Sequence, residues 1–146
     1  MVPQAATWPA VKPLRVTLAG RDDFAQHWLL SAALAIEGGG ALADAMGLSK
    51  ELQDARSGSG FSFNDLAADR AGTRVGQLAR REPGRLQARL ADPGVREADL
   101  MPDVADLPEF LGEADFLARY GGVGTPAYER VRTDIEARVE ALPILR

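Results

Sequence analysis

The sequence predicts an all-α fold, a single compact helical domain of about five to six helices that follows an extended N-terminal arm. Three observations support this prediction. Apolar residues recur at helical spacing through much of the chain, whereas alternating runs of strand length are nearly absent. Glycine and proline clusters divide the helical stretches into segments of ordinary helix length. The length of 146 residues is that of one domain.

We expect the arm to cover residues 1–20 and the helical domain to cover residues 21–146. Residues 1–14 contain three prolines and show no periodicity, so they favour an extended conformation, with residues 15–19 forming at most a short strand or a strip packed on the domain. A first helix is predicted over 22–36, before three consecutive glycines, and a second over 41–55. A third is predicted over 63–81, after the turn Ser57-Gly58-Ser59-Gly60.

Beyond Pro83 we predict a short helix over 85–91 and then an ordered loop, PGVREADLMPDVADLP. Asp106-Leu107-Pro108-Glu109 is typical of a helix start, and EADFLARYGG of a helix closed by glycine. The last helix is the clearest, because Thr125 is a good N-cap and Pro126 fits the first helical position. Its apolar face is predicted to contain Tyr128, Val131, Ile135, Val139 and Leu142.

Composition excludes several classes of function. The net charge of −4 offers no basic surface for nucleic acid. The absence of cysteine excludes thiol catalysis, cysteine-ligated zinc and disulfides. The richest apolar run, residues 24–36, is shorter than the roughly 20 residues of a membrane span. The first residues, MVPQAATWPAVKP, lack the pattern of a signal peptide.

Polar residues in the first two helices could form a site. His27 is the single histidine of the chain, and Asp23, one turn earlier, could fix its tautomer. One histidine excludes HExxH and three-histidine zinc sites. Glu51 follows Gly47 by one turn, so another helix could approach closely there. Lys50 and Asp54 have the spacing of an ordinary ion pair.

The segment SGSGFSFNDLAADRAG raises the question of why Asp65 and Asp69 share one helical face. Ser62 and Asp65 have capping-box spacing, which gives Asp65 a structural explanation. Asp69 lies past the first turn and needs a positive partner, for which Arg70, Arg74 or a bound cation are candidates. Small residues further along the same face, Gly72 and Gly76 among them, favour close packing on another helix, such as the His27 helix. Three helices could bring together Asp23, His27, Glu51, Asp54, Asp65 and Asp69.

The stretches DDFAQHWLLSAAL and GLSKELQDARSGSGFSFNDLAADRAG resemble the YfiM family of small, predicted periplasmic lipoproteins. The resemblance covers residues 22–76, and a looser one extends to VanZ-like membrane proteins. It implies a shared polar cluster in the helical core, residues 21–81, and a periplasmic or cell-envelope location. It implies no established reaction. The chain has no lipobox cysteine, and the helical extension, residues 82–146, lies outside the resemblance.

These observations lead to two alternative predictions of function. The first is an envelope-associated protein whose site binds calcium or magnesium, or acts as a hydrolase on a cell-wall or glycan substrate. Its catalytic residues would be Glu51, Asp69 and His27, its substrate-binding residues Asp54, Arg56, Ser62 and Asp65, and its metal ligands Glu51, Asp54 and Asp69. The second is a structural or interaction protein, with an envelope protein as partner, whose polar cluster is a buried packing network.

Overall fold

The computed structural model describes residues 14–146, which form six α-helices. These are α1 (Asp22–Gly38), α2 (Gly40–Ser57), α3 (Phe63–Arg81), α4 (Pro83–Leu90), α5 (Glu113–Tyr120) and α6 (Pro126–Glu140). Single 3-10 turns cover Glu97–Asp99 and Pro143–Leu145. The predicted all-α class is confirmed. Among the described helices, none is both long and apolar enough to cross a membrane.

The N-terminal arm is described only from residue 14 onward, and the prediction for residues 1–13 lies outside the described part. Residues 14–17 form no regular structure, and residues 15–19 do not form a strand. A single bridge joins Leu18 to Arg21, where the Leu18 N–H donates to the Arg21 carbonyl over 2.8 Å. The Leu18 side chain is buried. Within residues 15–19 it is therefore Leu18 that packs on the domain, whereas Arg15 and Val16 are exposed, so the predicted packed strip is reduced to this contact.

Helices α1 and α3 pack closely because α3 presents glycine to α1. A Cβ atom on Gly72 would lie 2.1 Å from the carbonyl oxygen of Trp28, and one on Gly76 would lie 2.3 Å from that of Ala32. Any larger residue would push the two backbones apart. The predicted role of these small residues is confirmed, and their packing brings polar side chains of α1 and α3 within hydrogen-bonding distance.

The predicted helix start at Asp106 is wrong, and α5 begins at Glu113. Pro108 disfavours helical backbone at the residue before it, and Phe110 has a positive φ of 58°. Leu111 then pairs with Phe61, with backbone N–H to carbonyl distances of 2.7 and 2.9 Å. Pairing with a distant segment thus overrides the local helix signal.

The C-terminal half completes the core rather than forming a separate unit. The Phe61 and Phe116 rings stack with centroids 4.4 Å apart, and the Phe63 ring meets the Tyr120 ring edge-on at 5.0 Å. Tyr128 on α6 contacts the same aromatic group. One hydrophobic core therefore spans both halves of the chain.

Candidate functional site

Three helices bring four titratable side chains to one buried place. His27 comes from α1, Glu51 from α2, and Asp65 and Asp69 from α3. Their side chains are 8%, 0%, 14% and 5% exposed, in that order. We call these four residues the polar cluster. Burial of three carboxyl groups with one imidazole is costly unless charges are neutralised or paired.

Asp69 is stabilised by two donors on α1. The Asp69 Oδ1 atom lies 3.1 Å from His27 Nδ1 and accepts a 2.7 Å hydrogen bond from the Ser31 hydroxyl. The predicted arginine partners are wrong, because Arg70 and Arg74 both pair with acidic residues other than Asp69. The partner of Asp69 is instead the imidazole of His27, 42 positions earlier in the sequence.

Asp23 does not fix the tautomer of His27. Its carboxylate is bonded to Arg21, through Nε at 3.0 Å and Nη2 at 2.5 Å. The prediction from the one-turn spacing is therefore wrong, since a guanidinium two residues away supplies two charge-assisted hydrogen bonds. With Nδ1 facing Asp69, the Nε2 atom of His27 faces the other two carboxyl groups.

Glu51 enters the cluster through the start of α3. Its Oε2 atom accepts a 2.9 Å hydrogen bond from the Ser62 backbone N–H. Its Oε1 atom is buried without a hydrogen-bond partner and lies 4.0 Å from His27 Nε2. That separation is too long for a hydrogen bond. One half of a fully buried carboxyl group thus faces the cluster unpaired.

The capping box at Ser62 is only half formed. The Ser62 hydroxyl accepts from the Asp65 N–H at 3.0 Å, which confirms Ser62 as the N-cap of α3. The reciprocal bond from the Ser62 N–H goes to Glu51 instead. The Asp65 carboxylate is consequently free of a capping role, and its Oδ2 atom lies 3.7 Å from His27 Nε2. Capping therefore does not explain the position of the Asp65 side chain.

Gly47 makes room for Asp69 between α2 and α3. A Cβ atom at position 47 would lie 2.6 Å from Asp69 Oδ2 and 2.9 Å from its Cγ. The predicted close approach at Gly47 is confirmed. The Asp69 Oδ2 atom next to Gly47 is buried and has no hydrogen-bond partner. The Oδ1 atom of Asp65 is also buried without a hydrogen-bond partner. All three carboxyl groups of the cluster thus have a buried oxygen that lacks a hydrogen-bond partner.

The environment raises the pKa values of Glu51, Asp65 and His27. Burial raises the pKa of Glu51 from 4.5 to about 7, although the Ser62 N–H opposes this shift. Burial also raises the pKa of Asp65. For His27, burial favours the neutral form, but the hydrogen bond to Asp69 and the charges of Asp69 and Asp65 outweigh it, so its pKa is raised. Each of these three groups therefore holds its proton more firmly than it would in water.

Two residues predicted to bind substrate or metal lie outside the cluster. Asp54 is bonded to Lys50 at 2.6 Å, as the ordinary ion-pair interpretation predicted. Arg56 is bonded to Glu113 on α5 at 3.0 Å, and its side chain is 68% exposed. Ser62 touches the cluster through its backbone N–H, so it positions Glu51.

Ser31 is a site residue that the sequence predictions left out. Its side chain is buried and donates to the same Asp69 oxygen as His27. The available signal was its position one helical turn after His27, which places both donors on one stripe of α1.

The cluster has the composition of a small cation site. One ligand atom from each of His27, Glu51 and Asp69 can be chosen so that all three lie within 4.8 Å of one another. In comparisons with protein-family models, with curated proteins and with solved structures, this chain has no match.

Proposed function

We propose that this chain binds a divalent cation in the polar cluster, with His27 Nε2, Glu51 Oε1 and Asp65 as ligands. The observation that carries this proposal is the unpaired Oε1 of the fully buried Glu51, 4.0 Å from His27 Nε2. Buried oxygens in packing networks are normally paired. A positive ion between Glu51 Oε1 and His27 Nε2 would give both atoms a partner.

The distances support a shared ion better than direct hydrogen bonds. The Nε2 atom of His27 lies 4.0 Å from Glu51 Oε1 and 3.7 Å from Asp65 Oδ2. Ligands held about 2.0–2.2 Å from one ion lie roughly 3.0–3.5 Å from each other, so both distances from Nε2 are slightly longer than those between the ligands of an occupied site. In this arrangement Asp69 bonds the other ring nitrogen and orients the imidazole, a common partner of metal-bound histidine.

The donor set favours an ion of the manganese or zinc type. Calcium takes six to eight oxygen ligands, and magnesium keeps much of its water. A ligand set of one imidazole nitrogen and carboxylate oxygens suits zinc and manganese better. With Asp54 bonded to Lys50, the oxygen-rich set on which the calcium or magnesium prediction rested has lost one member.

Titration of chelator-treated protein tests the proposal. We expect saturable binding of one Mn²⁺ or Zn²⁺ ion by calorimetry, with weaker binding of Ca²⁺ and Mg²⁺. An ion at 100 times its Kd should raise the unfolding midpoint by about 5–10 °C. Glu51→Gln should remove the effect, whereas Glu37→Gln, at an exposed position of α1, should retain it. Flat titrations with all four ions would overturn the proposal and favour the packing network.

A second candidate function is acid–base chemistry at Glu51. Its pKa of about 7 is suited to a general acid at neutral pH. Hydrolysis of a cell-wall or glycan substrate therefore stays a prediction, with Glu51 as the acid. Product release from peptidoglycan by the wild type but not by Glu51→Gln would support it, and equal release by both would refute it.

The envelope location and the YfiM-like relationship also stay proposals, supported by the sequence resemblance over residues 22–76. Fractionation of cells that produce the natural protein at its own level tests the location. Recovery in the periplasmic or membrane fraction is the expected result, and recovery with cytosolic markers alone would contradict it.

A further inference from the structure

Lys50 lies on the solvent side of the polar cluster. The exposed fraction of the side chain rises from 0% at Glu51, through 14% at Asp65, to 49% at Lys50. The Lys50 Nζ atom is 3.9 Å from Glu51 Oε1, the atom that lacks a hydrogen-bond partner. An ion that reaches the cluster from this side would pass the ammonium group.

Lys50 compensates the cluster through space rather than by a direct bond. A separation of 3.9 Å exceeds hydrogen-bonding distance, while the bond from Nζ to Asp54 is 2.6 Å. Among the lysines and arginines of residues 14–146, Lys50 is the one with a side-chain nitrogen within 4.0 Å of a cluster carboxylate. Asp54 thus holds a positive charge beside the cluster but outside it.

We propose that Lys50 is a tethered counter-ion that competes with the bound cation and lowers the affinity of the site for it. With all carboxyl groups ionised, Glu51, Asp65 and Asp69 carry three negative charges, and Lys50 brings beside them one positive charge that it shares with Asp54. A divalent ion would neutralise two of the three negative charges of the cluster. This inference rests on the proposed cation site and adds what regulates its affinity.

Asp54 is the positioning residue in this arrangement. It lies one turn after Lys50 on α2, and its short bond to Nζ draws the ammonium away from Glu51. Entry of a divalent ion would repel Lys50 toward solvent, where Asp54 retains it. Removal of the Asp54 charge would leave Lys50 free to move into the cluster and compete directly.

The test measures Mn²⁺ and Zn²⁺ affinity of chelator-treated Lys50→Met by calorimetry. A divalent ion and an ammonium group about 6 Å apart repel each other enough, even with water-like screening, to change affinity about tenfold. We therefore expect Lys50→Met to bind about tenfold more tightly than the wild type. Arg56→Met is the matched control, because it removes one positive charge from the same helix at a residue bonded to α5. The affinity of Arg56→Met for Mn²⁺ and Zn²⁺ should change much less.

A double-mutant cycle separates the role of Asp54 from simple loss of charge. Asp54→Asn should weaken binding in the wild type, and should do so less in the Lys50→Met background, because the competing ammonium is then absent. Equal effects in both backgrounds would overturn the positioning role. Unchanged affinity of Lys50→Met, with clear binding by the wild type, would overturn the counter-ion role alone. Flat titrations of both proteins would instead overturn the cation site.

Discussion

The replacement Glu51→Gln tests the energetics of the cluster directly. In the cation-free protein the Glu51 carboxyl group is fully buried, and its pKa is raised from 4.5 to about 7. The folded state therefore binds a proton that the unfolded state has released between these two pH values. Stability contributed by this group is complete below pH 4.5 and is lost as the pH rises toward 7.

The size of the effect follows from the two pKa values. At about 1.4 kcal/mol for each pH unit, the interval from 4.5 to about 7 corresponds to about 3 kcal/mol of unfolding free energy. Glutamine keeps an oxygen for the Ser62 N–H and cannot ionise. We expect Glu51→Gln to gain about 3 kcal/mol relative to the wild type between pH 4.5 and pH 8.

Urea denaturation at several pH values, with chelator present and followed by tryptophan fluorescence, measures this difference. The raised pKa values of His27 and Asp65 make the wild type lose stability in the same direction. The difference between wild type and Glu51→Gln therefore reports the Glu51 carboxyl group together with its coupling to these two groups. Glu37→Gln is the control at an exposed position. A difference between wild type and Glu51→Gln that does not change with pH would refute the reasoning.

Three other replacements test the packing around the cluster. Gly72→Ala should destabilise the fold by about 2 kcal/mol, because its Cβ would meet the α1 backbone. Gly84→Ala, whose Cβ has open space, should leave stability unchanged, and equal denaturation midpoints of the two variants would contradict the packing argument. Ser31→Ala should lower the free energy of unfolding by about 1.5–3 kcal/mol at pH 8, since it removes a buried donor to the Asp69 carboxylate. A loss under about 0.5 kcal/mol in urea denaturation would argue against that hydrogen bond. Gly47→Ala should displace Asp69 Oδ2 and weaken Mn²⁺ binding about tenfold by calorimetry, and wild-type affinity would show that this carboxylate does not orient the site.

Local signals in the sequence predicted the helices well. The bounds of α3 agree with the predicted 63–81, because Ser62 caps its start and the turn before it contains glycine. The glycines at 47, 72 and 76 predicted close helix contacts, since lack of a side chain matters most where backbones approach. Caps, turns and glycines act on residues close to them in the sequence, so a single sequence is enough to find them.

Partners across the fold were harder to predict. His27 had a carboxylate at the correct helical spacing, Asp23, but Arg21 binds that carboxylate and the imidazole pairs with Asp69. The Ser62 N–H was expected to complete a capping box, yet it donates to Glu51. Each choice depends on which distant groups the tertiary packing brings near, and local spacing does not contain that information.

The bridge between Phe61 and Leu111 lets the C-terminal half hold the start of α3 in place. Phe61 directly precedes Ser62, so the two backbone bonds to Leu111 hold the peptide group whose N–H reaches Glu51. A cut in the loop before α5 would loosen that anchor while leaving every side chain of the cluster intact. Residues that never touch the cluster would then govern how rigidly its buried glutamate is held.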